Sequence, residues 1–141
     1  MGDKKSTVQE IWTGTDGEIW LNNTDRLGNV QKFSLKQTNK YEDVDDTDNF
    51  ATKKRLVGVE LTGELTKFKT DFAFKEIMTK YKNKTQSEIS LTGSWTNNDT
   101  GETKRISITG ITLDGMDIFA FEKGKVSQDN LTYSATDYDF I

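Results

Sequence analysis

Cysteine, histidine and proline are all missing from this chain of 141 residues. Without cysteine there is no disulfide framework, no cysteine zinc site and no thiol nucleophile. Without histidine the chain lacks the commonest general base and the commonest metal ligand. Carboxylates are plentiful, and a glycosidase-type pair is the one enzymatic alternative, but they are spread along the chain without a catalytic constellation. We therefore predict that the protein is not an enzyme and uses no cofactor or metal.

Long apolar runs are missing as well. No segment approaches the roughly 20 apolar residues of a membrane span, and the N-terminal residues lack the apolar stretch of a signal peptide. We therefore expect no membrane anchor. The net charge is −4, with 19 basic and 23 acidic residues, a balance that does not favour gripping nucleic acid by its phosphates. The length fits one domain, 1–141, with an N-terminal arm over about 1–14.

Alternation of apolar and polar residues, which is typical of half-buried strands, dominates the chain. In "VGVELTGELTKF", residues 57–68, the odd-numbered positions up to Leu65 are apolar or glycine, and we expect Val57 and Val59 to lie in the core with Leu61 and Leu65. Val30 is out of phase with the rest of its strand and predicts a bulge or a strand start near residue 31. Ile111 and Leu113 are one residue out of phase with the preceding isoleucines, and Gly110 between them predicts a bulge. The pattern predicts six or seven strands: 17–23, 29–44, 54–67, 87–97, 102–115 and a last pair within 116–124 and 125–140.

One segment, 70–84, has helical periodicity. Phe74, Ile77, Met78 and Tyr81 fall at the spacing of a single apolar stripe, which predicts a helix packed on a sheet, with Thr70 or Asp71 as its N-cap. Turn-rich connections between strands favour antiparallel pairing. The predicted fold is therefore mainly β: an antiparallel β-barrel or sandwich with one flanking α-helix.

The three tryptophans leave a second reading open. Trp95 shares the phase of Ile89 and Leu91, which places it in the core, whereas Trp12 lies in the N-terminal arm and is free to pack on a neighbour. In the pair Ile19–Trp20 one side chain must point outwards. Exposed tryptophans are typical of a monomeric carbohydrate- or ligand-binding β-sandwich, which stays an alternative.

The outward faces of the predicted hairpins are rich in serine and threonine rather than in long charged side chains. A surface of this composition is polar but offers few charged groups that could bind a passing molecule. An ordinary solvent-facing surface explains the composition equally well. The segment "DVDDTDN", 43–49, is strongly acidic. It lacks the glycine and the distal glutamate of an EF-hand calcium loop, so we predict an acidic loop rather than a metal site.

The order of these segments resembles a known family. The order is "TGTDGEIWLNN", a turn, "VQKFSLK", an acidic loop, "GVELTGELTKFKT", the helix "FAFKEIMTKYKN", a hairpin around "NDTGETKRISITGITLDG" and a final "YSATDYDF". Over nearly its whole length the chain resembles the tail-tube proteins of contractile-tailed phages and prophage-like elements of Gram-positive bacteria. The resemblance rests on element order rather than on one sharp motif.

The resemblance implies a structural virion protein. Six copies would form a ring, two long hairpins of each copy would join into a barrel around a channel, and rings would stack into a tube that conducts DNA without binding it specifically. Sheath, baseplate and tape-measure proteins would be partners. Assembly would take place in the bacterial cytoplasm, and the product would be a virion tail or a tail-like particle. The tube of a phage-tail-like bacteriocin or of a type VI-like injection system is the alternative.

The resemblance also assigns roles to residues. The loop over about 41–54 would reach the neighbouring ring, with Tyr41, Asp43, Asp45, Asp46, Asp48 and Phe50. The channel would be lined by the outward hairpin residues: Ser34, Lys36, Glu60, Thr62, Glu64, Ser90, Thr92, Ser94, Ser107 and Thr109. Repeated glutamates would make this lining negative and repel phosphate, although Lys36 and Arg105 reduce that charge.

Overall fold

The computed structural model describes residues 8–13, 17–22, 25–45, 52–69, 72, 74–86 and 88–141. Within this part the chain forms a short 3-10 turn, nine strands and one helix. The elements in chain order are the turn Val8–Glu10, β1 Gly17–Leu21, β2 Asp25–Leu27, β3 Val30–Val44, β4 Lys53–Phe68, α1 Lys75–Lys82, β5 Leu91–Asn97, β6 Glu102–Thr109, β7 Thr112–Gly115, β8 Gln128–Ala135 and β9 Asp137–Phe140.

The strands form two antiparallel sheets. Sheet A has the order β2-β1-β5-β6-β9 and sheet B the order β3-β4-β8-β7. Their inward residues meet in one core, to which Leu91 and Ile108 contribute from sheet A and Leu65 and Tyr133 from sheet B. The predicted antiparallel sandwich with one helix is confirmed. Within the described residues neither sheet closes into a barrel.

The two sheets are joined at one corner. β6 bends into β7 at Gly110, whose φ is +65°, and β8 bends into β9 at Thr136. The Thr136 amide donates to the carbonyl of Thr109 at 3.1 Å, and the Thr136 hydroxyl donates to the carbonyl of Gly110 at 3.1 Å. The irregularity predicted at Gly110 is therefore confirmed, but it moves the strand from one sheet to the other rather than forming a simple bulge.

Helix α1 covers one end of the core. Phe74 and Ile77 are buried, and Met78 and Tyr81 pack against the core cluster, so the predicted apolar stripe is confirmed. The helix begins at Lys75 behind Phe74, which makes no side-chain cap; the predicted caps Thr70 and Asp71 lie outside the described residues. None of the helices in the described segments is long and apolar enough to cross a membrane.

Residues 116–124 were predicted to form a strand, and this is wrong. They lie in the connection between β7 and β8, which pair directly with each other. Because the two flanking strands are already partners, the segment crosses the end of sheet B without entering the ladder. Its apolar side chains Ile118, Phe119 and Phe121 are left exposed.

The N-terminal half contains one strand more than the sequence pattern predicts. Residues 25–27, expected within a turn, form β2 and pair with β1, with Leu27 opposite Ile19. The helix therefore follows the fourth strand. The irregularity predicted at Val30 is confirmed, since the register of β3 against β4 shifts between Val30 and Lys32.

Candidate functional site

The hairpin of β3 and β4 is the largest feature of the fold. Its ladder runs from Val30 opposite Lys67 to Val44 opposite Lys53, with register shifts between Val30 and Lys32 and between Lys40 and Tyr41. Opposite charges face each other near its tip, with Asp43 across from Lys54, and such pairs favour an extended ladder.

The loop predicted over 41–54 is therefore shorter than expected. Tyr41 and Asp43 lie in β3, and 53–54 lie in β4. Asp45 follows the end of β3 directly and is exposed. Asp46, Asp48 and Phe50 lie outside the described residues.

The distal half of this hairpin extends beyond the sandwich. The partner strand β8 ends at Ala135, opposite Leu61 of β4, so nearer the tip β4 pairs with β3 alone. Leu61 and Leu65 are buried, but Val57 and Val59 are 58% and 49% exposed. The prediction that all four lie in the core is wrong for the last two. The register shift between Lys40 and Tyr41 leaves Val57 as an extra residue in β4, and Val59 lies beyond Leu61, where β8 ends.

The outward face of sheet B carries half of the predicted lining residues. Ser34 lies opposite Glu64 and Lys36 opposite Thr62 in the β3–β4 register, and directly paired residues share a face. Glu60 follows on the same face.

The same face continues on β8 with two residues that the sequence reading missed. Thr132 lies opposite Glu64 and Ser134 opposite Thr62. Their alternation with the buried Leu131 and Tyr133 is the signal that could have identified them.

Lysines of β3 neutralise the glutamates on this face. Lys32 Nζ lies 3.1 Å from Glu64 Oε2, and Lys40 Nζ lies 3.7 Å from Glu60 Oε2. Lys36 lies between them on the same strand face. Exposed pairs of this kind contribute little to stability, but they decide the sign of the surface. Between Lys32 and Lys40, three lysines of β3 share this face with two glutamates of β4, so this stretch of sheet B is not strongly negative; the negative lining stays a prediction.

The remaining predicted lining residues lie on sheet A. Thr92 pairs with Ser107, Ser94 with Arg105, and Thr109 with Asp137. Ser90 precedes β5. The backbone amide of Ser90 donates to Asn22 Oδ1 at 3.0 Å.

The two groups of predicted lining residues do not share one surface within a chain. The inward residues of both sheets meet in the core. The outward faces of sheets A and B must therefore point away from each other.

The tryptophans do not form a flat platform. Trp12 packs edge-on against Trp95 with ring centroids 5.3 Å apart and planes at 72°, and Trp95 Nε1 donates to the carbonyl of Thr13 at 2.6 Å. Trp95 is 44% exposed, so its prediction as a core residue is wrong; it lies where sheet A outruns the core, and the N-terminal arm covers it. Ile19 is buried and Trp20 points outwards, half-buried.

An apolar cavity of about 360 Å³ lies between α1 and the β7–β8 connection. Phe74, Met78 and Met116 line it. Lys69 and Asp129 form an ion pair at its edge, with 2.9 Å between Nζ and Oδ1, and the Asp129 side chain is only 4% exposed. This pair is already satisfied, and the apolar walls offer no acid and base aimed at a substrate.

Two further observations bear on chemistry. Burial raises the pKa of the Tyr133 phenol, whose hydroxyl donates to the carbonyl of Ser34 at 2.7 Å; the group is a structural tie between strands. Among the described residues no group of acidic side chains is arranged to hold a metal ion. The long hairpin and the polar face of sheet B are thus the features that a function must explain.

The sequence profile of one protein family matches residues 5–141, and its description is "Phage tail tube protein". The chain belongs to the phage tail tube protein family. The resemblance to tail-tube proteins inferred from element order is confirmed, whereas the origin in a Gram-positive host stays a prediction. No protein among curated sequences matches this tail tube protein significantly.

Solved structures share the fold of this tail tube protein. A chain of the sheath/tube terminator of the extracellular contractile injection system PVC aligns with a TM-score of 0.76 at 10% identity, covering 96% of this chain and 99% of that one. A chain of the PVC sheath-tube complex gives 0.75 at 12% identity, with 98% and 99% covered. The SPP1 tail tube gives 0.66 at 11% identity, with 92% and 78% covered.

Proposed function

We propose that six copies of this chain close into a ring, that rings stack into the inner tube of a contractile tail, and that the tube conducts DNA during ejection. The observation that carries this proposal is the β3–β4 hairpin, which projects from the sandwich with apolar side chains exposed. A two-stranded ribbon is marginally stable on its own in water. Contact with neighbouring copies would cover it.

Sheet B is the sheet that we assign to the ring. Its edge strand β3 is 15 residues long, whereas the edge strands of sheet A, β2 and β9, have three and four residues. A long open edge exposes unpaired backbone groups and promotes association. Cyclic closure between the edges β3 and β7 of successive copies would pair part of those groups, as far as the four residues of β7 reach along β3.

The outward face of sheet B would then face the channel. Of the lining residues predicted from the sequence, the proposal retains those on sheet B: Ser34, Lys36, Glu60, Thr62 and Glu64. It adds Thr132 and Ser134 of β8. Ser90, Thr92, Ser94, Ser107 and Thr109 would lie on the side away from the channel, because opposite faces of one sandwich cannot line the same channel.

The charge of this face is consistent with a channel that does not bind DNA tightly. Tight DNA binding requires cations that displace the counterions of phosphate. Two of the three lysines of β3, Lys32 and Lys40, are paired with glutamates. A nearly balanced, hydroxyl-rich wall would let DNA pass without specific binding.

Sheath and baseplate proteins are the proposed partners of the tube, together with a tape-measure protein. In support, structures with the same fold come from a sheath-tube complex and from the baseplate of the anti-feeding prophage. The tube would be part of a virion tail or a tail-like particle and would be assembled in the bacterial cytoplasm.

A second candidate is the tube of an injection particle that carries no DNA. The fold likeness to PVC and to the anti-feeding prophage favours it. The two candidates differ in cargo. Purified particles that contain this chain and protect DNA from nuclease would support the first candidate, and particles with capsid-free tails and no protected DNA would support the second.

Negative-stain electron microscopy of the concentrated protein tests the ring itself. We expect hollow end-on views with six-fold symmetry. Particles that remain monomeric at high concentration, and also with baseplate proteins added, would contradict the proposal and return attention to a ligand-binding sandwich.

Charge reversal tests the lining. In particles that eject DNA, Glu60→Lys together with Glu64→Lys should slow ejection, because both changes add cations to the channel wall. Asp139→Lys on the outward face of sheet A is the matched control and should leave ejection unchanged. Equal effects of both changes would contradict the assignment of sheet B to the channel.

A further inference from the structure

The cavity between α1 and the β7–β8 connection combines apolar walls with a positively charged rim. Phe74, Met78 and Met116 form walls, and Lys75 and Lys82 also line it. We propose that this cavity binds a small amphipathic carboxylate of the fatty-acid class, with the acyl chain between the apolar walls and the carboxylate on the two lysines. The site lies within one chain, so the proposal does not depend on the tube.

The size and the walls of the cavity suit an acyl chain. Its volume of about 360 Å³ falls within the range of about 300–1,000 Å³ in which proteins bind small molecules. α1 contributes Met78 on one side, and the β7–β8 connection contributes Met116 and Ile118 on the other. Methionine adapts its shape to irregular apolar partners. Phe72 extends the wall towards solvent, where it is 53% exposed and stacks on Phe119. An apolar ligand would therefore cover surface that the chain leaves open.

The two lysines are placed by the period of the helix. Four residues of α1 line the cavity: Lys75, Met78, Thr79 and Lys82. Spacings of three and four residues put them on one face of the helix. Seven residues of helix advance roughly 10 Å, so the two lysines lie at opposite ends of this wall. Both are exposed, and lysine stems commonly lie along apolar surface while the ammonium group stays in water.

The charge around the cavity favours an anion. The chain as a whole has a net charge of −4, yet the cavity is lined by three lysines and a single acid, Asp129. Asp129 already pairs with Lys69 at 2.9 Å and lies opposite the buried Lys67 in the ladder of β4 and β8. Within the described residues neither Lys75 nor Lys82 forms an ion pair. Complementary charge therefore favours a carboxylate over a neutral or cationic ligand of the same shape.

The methionine methyl groups report on the cavity directly. The chain has three methionines, and two of them, Met78 and Met116, line the cavity. The full chain is isotope-labelled in these methyl groups and titrated with sodium octanoate below micelle-forming concentrations, and the signals are assigned from Met78→Leu and Met116→Leu variants. We expect both NMR signals to shift along one saturable curve. Signals that do not shift, that shift without saturation, or that follow different curves would overturn the proposal.

The head group of the ligand tests the role of the lysines. Octanol and octyltrimethylammonium carry the same alkyl chain without a negative charge. Octanoate should bind about tenfold more tightly than octanol, as expected for two partly exposed charge contacts, and octyltrimethylammonium should bind most weakly. Equal affinities for the three compounds would show that the cavity accepts any apolar chain, and would overturn the assignment of a carboxylate to the lysines.

Variants of α1 test the same site from the protein side. Lys75→Gln together with Lys82→Gln should weaken octanoate binding about tenfold and leave octanol binding unchanged, because only the charge contacts are lost. Lys80→Gln, on the same helix but outside the cavity lining, is the matched control and should bind octanoate normally. Thr79→Trp fills the cavity from an exposed position and should abolish binding of both compounds. Unchanged octanoate affinity in the lysine double variant or in Thr79→Trp would overturn the proposal. None of these outcomes requires rings or tubes, so failure here would leave the proposed function intact.

Discussion

Gly63→Ala should be among the most damaging single-methyl changes in this chain. Gly63 lies in β4 between Leu35 of β3 and Tyr133 of β8. The Tyr133 side chain crosses over it to donate its hydroxyl to the carbonyl of Ser34 at 2.7 Å. A Cβ atom at position 63 would collide with that carbonyl oxygen and with the Tyr133 ring and hydroxyl. Displacement of the tyrosine relieves only part of this clash, because the Ser34 carbonyl oxygen belongs to the backbone and can shift only by straining the β3–β4 ladder.

The expected cost has two parts. Forcing an extra methyl into a packed core costs about 1–3 kcal/mol. Displacing the Tyr133 hydroxyl from its acceptor leaves a buried polar group unsatisfied, at about 1–3 kcal/mol. The lower entropy of alanine in the unfolded chain returns about 0.4–1 kcal/mol. We therefore expect the free energy of unfolding to fall by about 3 kcal/mol, a large part of the 5–15 kcal/mol typical of a domain.

Urea unfolding, followed by tryptophan fluorescence, measures this change. Gly58→Ala is the matched control, because Gly58 lies in the same strand and a Cβ there would meet nothing within 4 Å; it should be neutral or slightly stabilising. Tyr133→Phe in the Gly63→Ala background should cost less than it does alone, since the hydroxyl has already lost its partner. If Gly63→Ala and Gly58→Ala change the free energy of unfolding by similar amounts, the close packing of Tyr133 on Gly63 does not stabilise the pairing of β3, β4 and β8.

Three further predictions concern single residues, each measured by urea unfolding. Burial raises the pKa of Tyr133 above its ordinary value of 10.0, so the unfolded chain loses this proton at a lower pH than the folded chain does. The free energy of unfolding should therefore fall above about pH 10, and it should fall less steeply with pH in Tyr133→Phe. Equal slopes of the free energy of unfolding against pH in the two proteins would contradict this. Gly110→Ala should lower the free energy of unfolding by about 2 kcal/mol, and by more than Gly101→Ala. Both glycines have positive φ, but of the two only Gly110 lacks space for a Cβ atom. Equal losses in the two variants would show that the clash of this Cβ atom with its surroundings contributes nothing. Lys69→Met should lower the free energy of unfolding by about 2 kcal/mol, because it removes a charged hydrogen-bond partner of the buried Asp129 and leaves only Lys67 opposite it in the ladder. A double variant with Asp129→Asn should recover part of that loss; no recovery would mean that Lys69 and Asp129 are not coupled.

The features that sequence predicts well are local and periodic. The stripe of Phe74 and Ile77 identifies a helix face because both residues meet the same core. The alternation around Leu61 and Leu65 identifies β4, since both residues are buried on one face of the strand. The out-of-phase residues Val30 and Gly110 report real irregularities, since a residue that breaks the period of a strand must either shift its register or bend it.

The errors arise where the sheets end. Val57 has the same sequence signature as Leu65, yet burial depends on whether another strand lies opposite, and β8 stops at Ala135. Trp95 keeps the inward phase of Leu91 but lies beyond the core. Phe119 belongs to an apolar run that imitates a strand. Alternation specifies which face a residue takes, whereas the extent of the covering layer is set by other parts of the chain.

The division of the polar residues between two sheets was also beyond the sequence pattern. Ser34 and Thr92 both alternate with core residues, and nothing in either strand shows which ladder it joins. Pairing depends on long-range register, which connects β4 to β8 across more than sixty residues of chain. The alternation of β8 itself was readable, and Thr132 and Ser134 could have been assigned to an outward face from it.

The shared corner at Gly110 and Thr136 gives the sandwich a mechanical property. Because β6 continues as β7 and β8 continues as β9, the same two strands are hydrogen-bonded in both layers. A force that pulls one layer away from the other is therefore carried along covalent backbone and across two ladders at once, not by side-chain contacts alone. If sheet B lines the channel as proposed, a force applied to sheet A from outside would reach the wall of the channel through the strands themselves, and the two layers of each subunit would move as one body.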